Sequence, residues 1–275
     1  MPIQASVRAT DMHLRPLSTA VCLTVLLSAG FSYAQPPAAN QPPAGPAPVN
    51  AAGRVLLGGA TPAEKGVWTP VFGILDPISP AATVPFQPWS KSLYDARQIH
   101  ELEPHARCKA SGVARQFLTP YGVEFLEISA LDRLYIFDIG GPHTFRTVYM
   151  DGRSHPADLE PSNYGHAIGW WEGNTLVVDS IGFNEDFWFE RRGLPHTDQL
   201  HTIERFTRLD ERTIDYRVTV DDKGAYTAQW EGGFNLRWNP GVELFEYVCQ
   251  QANYAHELMV GKDSTGVERS STIAP

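Results

Sequence analysis

The chain has 275 residues, 22 Lys+Arg against 31 Asp+Glu for a formal charge of -9, and 43% apolar side chains. That length suits one globular domain or at most two small ones, and the acidic balance excludes a nucleic-acid backbone or an anionic membrane surface as the main partner, since each requires a basic face. With 19% charged residues, 7 Trp, 10 Tyr and 13 Phe, the chain is not disordered as a whole and carries ample core and pocket material.

The first segment reads as an export signal. His13 and Arg15 precede an apolar run over residues 17–31, and Ser32-Tyr33-Ala34 then fits a small-x-small cleavage site. A signal peptide over 1–34, a mature start near Gln35 and a periplasmic or secreted location are therefore expected. The run falls short of the roughly 20 residues that span a bilayer, and no later stretch is apolar enough to do so. Residues 1–11 lack signal character, so Met12 stands beside Met1 as a start. Cys22 lies in the leader, which leaves Cys108 and Cys249. In an oxidising compartment such a pair is the composition of one disulfide, and closing a loop of about 140 residues contributes on the order of 4 kcal/mol. Two unpaired buried thiols are the other reading. No CxxC motif or zinc spacing offers these cysteines other work.

Residues 35–52, a proline and alanine tract without charge, read as an extended tether. Residues 53–107 hold scattered apolar positions and prolines around one helix over 90–103, which Pro104 ends. This is an N-terminal arm that packs on the main body. From Arg115 the period changes to two: Val123-Phe125, Arg133-Tyr135-Phe137-Ile139, His143-Phe145-Thr147-Tyr149 and Ile214-Tyr216-Val218-Val220 alternate with polar neighbours. Short turn signals such as Asp151-Gly152, Gly173-Asn174 and Asn239-Pro240-Gly241 separate the strands, with no room for crossover helices. The expected fold is all-β, an antiparallel barrel or sandwich of about eight to ten strands over 108–260, with a lipocalin-like cup as the leading form and a tail over 261–275.

The clearest hairpin runs from His166 to Phe183 about a primed turn at Gly173-Asn174. Its second strand sets Thr175, Val177, Asp179 and Ile181 on one face, so a carboxylate interrupts an apolar row. Asp179 then requires a partner, His166 or an arginine. The run from Tyr164-Gly165-His166 through Trp171-Glu172-Gly173-Asn174-Thr175-Leu176-Val177-Val178-Asp179, followed by Pro195-His196-Thr197, Leu200-His201 and Glu204-Arg205-Phe206, resembles a large family of exported bacterial proteins. Tyr149 to Arg153, His155-Pro156 and Glu246 to Cys249 belong to the same pattern, which covers most of residues 108–250. The resemblance implies export and no settled activity.

The densest reactive cluster is His196 to Arg208. As a strand it would set His196, Asp198 and Glu204 on one face and His201 on the other, enough for a base, an orienting acid and a proton donor. The bland alternative is a strand with one solvated face. His143, Arg146, Asp151, Arg153, His155 and His166 form a second group, in which an arginine could hold an oxyanion or the residues could merely close turns. A metal reading rests on His196-x-Asp198 with His256, or on a distant cupin-like spacing to Glu204; both are weak patterns. No GxSxG elbow, SxxK or glycine-rich phosphate loop is present, so no cofactor is expected and covalent serine or cysteine catalysis is disfavoured. Phe187-Trp188-Phe189, in a loop, suggests a lid, since adjacent aromatics cannot share one interior.

These residues point to a metal-independent acid/base enzyme, a lyase, isomerase or hydrolase acting on a small aromatic or hydrophobic molecule. His166, His196, His201, Glu204 and Asp179 are its candidate catalytic groups, and Arg146, Trp170, Trp188 and Tyr164 its candidate substrate contacts. A carrier of a hydrophobic ligand without turnover and an envelope interaction module are the competing classes. The carrier would keep its histidines outside a greasy cavity, whereas the enzyme would converge His166, His196 or His201 with a carboxylate inside it.

Overall fold

The computed structural model describes residues 43–249 except 62, 72–76, 101–102, 139 and 141–143. The signal segment, His143, His256 and the tail over 261–275 lie outside these residues. Nine strands close into one barrel in sequence order: β1 (Gly66–Pro70), β2 (Val123–Ile128), β3 (Arg133–Asp138), β4 (Phe145–Tyr149), β5 (His166–Glu172), β6 (Thr175–Ile181), β7 (His201–Arg208), β8 (Thr213–Asp221) and β9 (Trp230–Pro240). The alternation of the sequence is the alternation of the wall. In β7 and β8, buried residues such as Thr202, Glu204, Phe206, Ile214, Tyr216 and Val218 point inward and their neighbours outward. The hairpin turn has Gly173 at φ +60° and pairs Glu172 with Thr175, the positive first torsion that a two-residue hairpin of this kind requires.

Three features depart from the sequence reading. The arm over 53–107 supplies a barrel strand, since β1 pairs with β9 and β2 and closes the wall. Gly66-Val-Trp-Thr-Pro is too short for periodicity to reveal it. The helix, α1, spans Pro88–His100, starting on the proline that suits a first helical position. Of the tract expected as an extended tether, residues 35–42 lie outside the described residues, and the rest is held from Gly45 onward: Val49 pairs with Val55, Asn50 Oδ1 accepts from the backbone of Ala52 and Arg54, and the Gly45 carbonyl accepts from Glu211 N–H. An asparagine that closes a turn on its own backbone anchors what composition alone presents as featureless.

One wall contact breaks the antiparallel rule and shapes the site described below. β4 and β5 run parallel, in register Val148 with Ala167 and Tyr149 with Ile168. Residues 150–165 must therefore carry the chain back along the outside of the wall, without a helix.

The barrel interior is aromatic and filled by the chain itself. Residues 111–119 are all buried, with a 3-10 turn over Ala114–Phe117. Phe117 sits among Phe125, Phe206, Tyr216 and Phe234, ring centroids 5.0 to 6.5 Å away. Phe187, Trp188 and Phe189, expected as a lid, are all buried, and each packs in its own direction: against Phe183, under Arg97 and against Trp230. A loop between strands can turn successive rings to different neighbours in a way that a strand cannot.

Cys108 and Cys249 form a disulfide across 141 positions, Cα atoms 5.7 Å apart. Its reduction is expected to destabilise the fold by roughly 4–5 kcal/mol in the chain-entropy picture. Chemical denaturation with and without reductant measures this, and thiol titration of the denatured, unreduced protein should find no free sulfhydryl at either position. Among the described residues, no helix is long and apolar enough to cross a membrane.

Candidate functional site

The register of the outer wall assembles the site. Asp179 on β6 faces Ile168 of β5 on one side and Ile203 of β7 on the other. His166 and His201 lie two residues from those partners, both toward the same end of the barrel. Each is thus a diagonal neighbour of the carboxylate on the outer face, within the reach of a side chain. His201 Nε2 donates to Asp179 Oδ1 at 2.8 Å. On the β5 side a third imidazole intervenes. His155, delivered by the returning 150–165 segment, sets Nε2 3.2 Å from Asp179 Oδ1 and Nδ1 2.8 Å from Nδ1 of His166. The four groups form one line, His166, His155, Asp179 and His201, on the outer face of the wall and not inside the barrel, where the enzyme reading expects them to converge.

The proton positions follow from the acceptor at the centre. An ionised carboxylate only accepts, so His155 and His201 both present Nε2–H to it. Nδ1 of His155 is then the acceptor for Nδ1–H of His166, which leaves Nε2 of His166 as a base. Electrostatics separate the two ends. Burial, then the neighbouring His155 and Arg153, hold the His166 pKa below that of an ordinary histidine. The hydrogen bond from Asp179 raises that of His201, against partial burial. Burial pushes Asp179 upward, but the bonds from His201 and His155 outweigh it and hold the carboxyl below its usual value. One end thus favours a neutral imidazole and the other an imidazolium, the pattern by which acid and base are distinguished.

Flanking groups fix the base. Tyr149, on the strand beside β5, stacks on His166 with centroids 5.0 Å apart at 18°. Arg153 lies 4.0 Å over the tyrosine ring and is tied to Asp151. This stack limits ring rotation at His166 and brings positive charge near it without a direct ion pair.

Other expected residues lie elsewhere. His196 is 6% exposed in the loop before β7, which begins only at His201. Its Nε2 bonds the Phe187 carbonyl at 2.9 Å, its ring lies 4.1 Å from that of Phe187, and burial lowers its pKa. The pair Pro195 and Thr197 around it is held by Tyr226 and Asp222. Glu204 points into the barrel, fully buried, where it accepts from Arg146 at 2.5 and 3.2 Å and from the Tyr216 hydroxyl at 3.0 Å. Arg146 is therefore the counter-ion of Glu204 and lines no outer site. Glu204 is expected from the run of reactive groups along its strand and Arg146 from the group around the turns; both side chains face inward and neither contacts the outer line.

Of the remaining candidate contacts, Trp170 is exposed on β5 and bonds Glu172, and Trp188 is buried under Arg97. Tyr164 donates to Asp138. None of the three hydrogen-bonds to the relay. The metal pattern His196-x-Asp198-x5-Glu204 does not converge, because Asp198 is exposed and Glu204 lies inside the wall. Among the described residues, no set of three or more His, Cys, Asp or Glu has an arrangement suited to a metal ion. His155 is the group that the sequence reading undervalued. Its place follows from the parallel β4–β5 pairing, which alternation does not encode. No protein-family model, curated protein or solved structure matches the chain.

Proposed function

We propose that this barrel is an exported acid/base enzyme, metal-independent, whose chemistry takes place on the outer wall at the line His166, His155, Asp179 and His201. The observation that supports it is the shared carboxylate with a depressed imidazole at one end and an elevated one at the other. His166 removes a proton through Nε2, and His155 with Asp179 stabilises the imidazolium that forms. His201, held to Asp179 through Nε2, returns a proton through Nδ1–H from the other end of the line. β5 and β7 are two strand spacings apart, about 10 Å, and His155 and Asp179 fill that interval, so a small organic molecule would lie over the line, against the free edges of His166 and His201. Proton abstraction and return across one substrate is the chemistry of an isomerase or a lyase; a hydrolase would also direct a water molecule from His166. The disulfide agrees with work outside the cytoplasm.

The test begins with the imidazoles themselves, before any substrate is known. In a proton NMR titration His201 should show a midpoint above that of a free histidine and His166 one below. Asp179→Asn should bring His201 down toward the ordinary value, because the bond that raises it loses its charge. The sign for stability follows: the His201–Asp179 bond contributes fully below the unfolded histidine pKa and is lost as pH rises through the elevated folded value. Two midpoints at the ordinary value, unchanged by Asp179→Asn, would reject the assignment. Screening of small organic molecules against wild type and the Asp179→Asn variant then identifies the substrate.

A further inference from the structure

A cavity of about 520 Å³ lies at the end of β3, lined by none of the four groups of the relay, under the strap formed by residues 244–248. Asp138, the last inward residue of β3, lines it and is 4% exposed. Its Oδ2 accepts from the Tyr164 hydroxyl at 3.1 Å and from Thr144 Oγ1 at 3.4 Å, while its Oδ1 has no hydrogen-bond partner. Among the described residues no lysine, arginine or histidine forms an ion pair with this carboxylate, and none lines the cavity. Burial accordingly raises the Asp138 carboxyl to about 7, even though Tyr164, Gln116 and Thr144 each pull it down. Among the described residues this buried carboxylate is held only by neutral groups and lacks a counter-charge.

The rest of the lining supplies the chemistry of one ligand class. Glu246 adds a second carboxylate from the strap, and Phe137, Phe245 and Tyr247 present aromatic rings. Acidic groups fix an ammonium, and ring faces hold the same charge and its hydrocarbon body. Tyr121 packs on both Phe245 and Tyr247, at 5.7 and 5.2 Å, and the Cys108–Cys249 bridge anchors the end of the strap. The geometry points to a binding site for a small organic cation, an ammonium with an attached aromatic or aliphatic body, in which Asp138 supplies the counter-charge and the strap aromatics the walls. Such a site is separate from the acid/base relay and stands or falls without it.

Calorimetric titration of the full chain with benzylammonium chloride, and with benzyl alcohol as its neutral isostere at the same ionic strength, tests this directly. Benzylammonium should bind at least about tenfold more tightly than the alcohol, the difference that a charge pair with a buried carboxylate provides. Asp138→Asn should remove that preference. Glu246→Gln, on an exposed residue, should weaken benzylammonium alone by a few-fold and serves if the Asp138 variant does not fold. Equal affinity for the two probes, or no binding of benzylammonium at millimolar concentration, overturns the proposal. Full displacement by millimolar Ca²⁺ or Mg²⁺ with no loss in the Glu246→Gln variant also overturns it, because the site would then be inorganic.

Discussion

His166→Ala is expected to lower turnover by roughly two to four orders of magnitude while leaving the melting transition nearly unchanged. The imidazole is only half-buried on the outer wall, and its bonds run to His155 and through it to Asp179, so its removal leaves the barrel core intact. His155→Ala should reduce turnover as well, by a smaller factor, because Asp179 would remain close to the base but no longer be joined to it. His196→Ala supplies the opposite pattern. That residue is buried against Phe187, so its loss should lower stability by about 1–3 kcal/mol and leave turnover per folded molecule in place. Steady-state rates normalised to folded protein by circular dichroism separate the two outcomes. A His196 variant that is stable and inactive would mean that the chemistry sits at the other end of the loop.

Arg146→Ala is expected to destabilise the protein by about 3–5 kcal/mol, because it leaves the fully buried Glu204 with only the Tyr216 hydroxyl for compensation. The ion pair crosses the barrel interior between β4 and β7, where water does not reach either side chain. Replacing both partners, Arg146→Met with Glu204→Met, should recover most of the loss, since no charge is then stranded. Urea denaturation of the two single variants and the double variant measures this. The same double variant decides the role of Glu204: retained turnover fits a structural ion pair, and lost turnover would return Glu204 to the chemistry.

Much of the wall was legible in the sequence because alternation is a local property. Strands β2 to β8 follow from apolar residues at every second position, and the Gly173-Asn174 hairpin from a glycine that tolerates positive φ. The pairing of Cys108 with Cys249 is the favoured reading once Cys22 is assigned to a leader, with two free thiols as the alternative that the bridge replaces. That Asp179 requires a partner was equally local: a carboxylate in an apolar row cannot stand alone. Which partner it takes was not local.

The sequence by itself determined an all-β class, barrel or sandwich, and the two strands that carry His166 and Asp179, and it favoured one disulfide, because periodicity and composition act over a few residues. Only the tertiary structure decided which reactive groups meet. Asp179 lies opposite Ile168 and Ile203 by strand register, and this makes His166 and His201 its diagonal neighbours. The parallel β4–β5 contact forces residues 150–165 back along the wall, and this delivers His155. Barrel closure turns Glu204 inward toward Arg146, and loop packing buries His196. Register, closure and chain return depend on residues far apart in the chain, so the spacing of histidines and carboxylates along it could not reveal the line that they form.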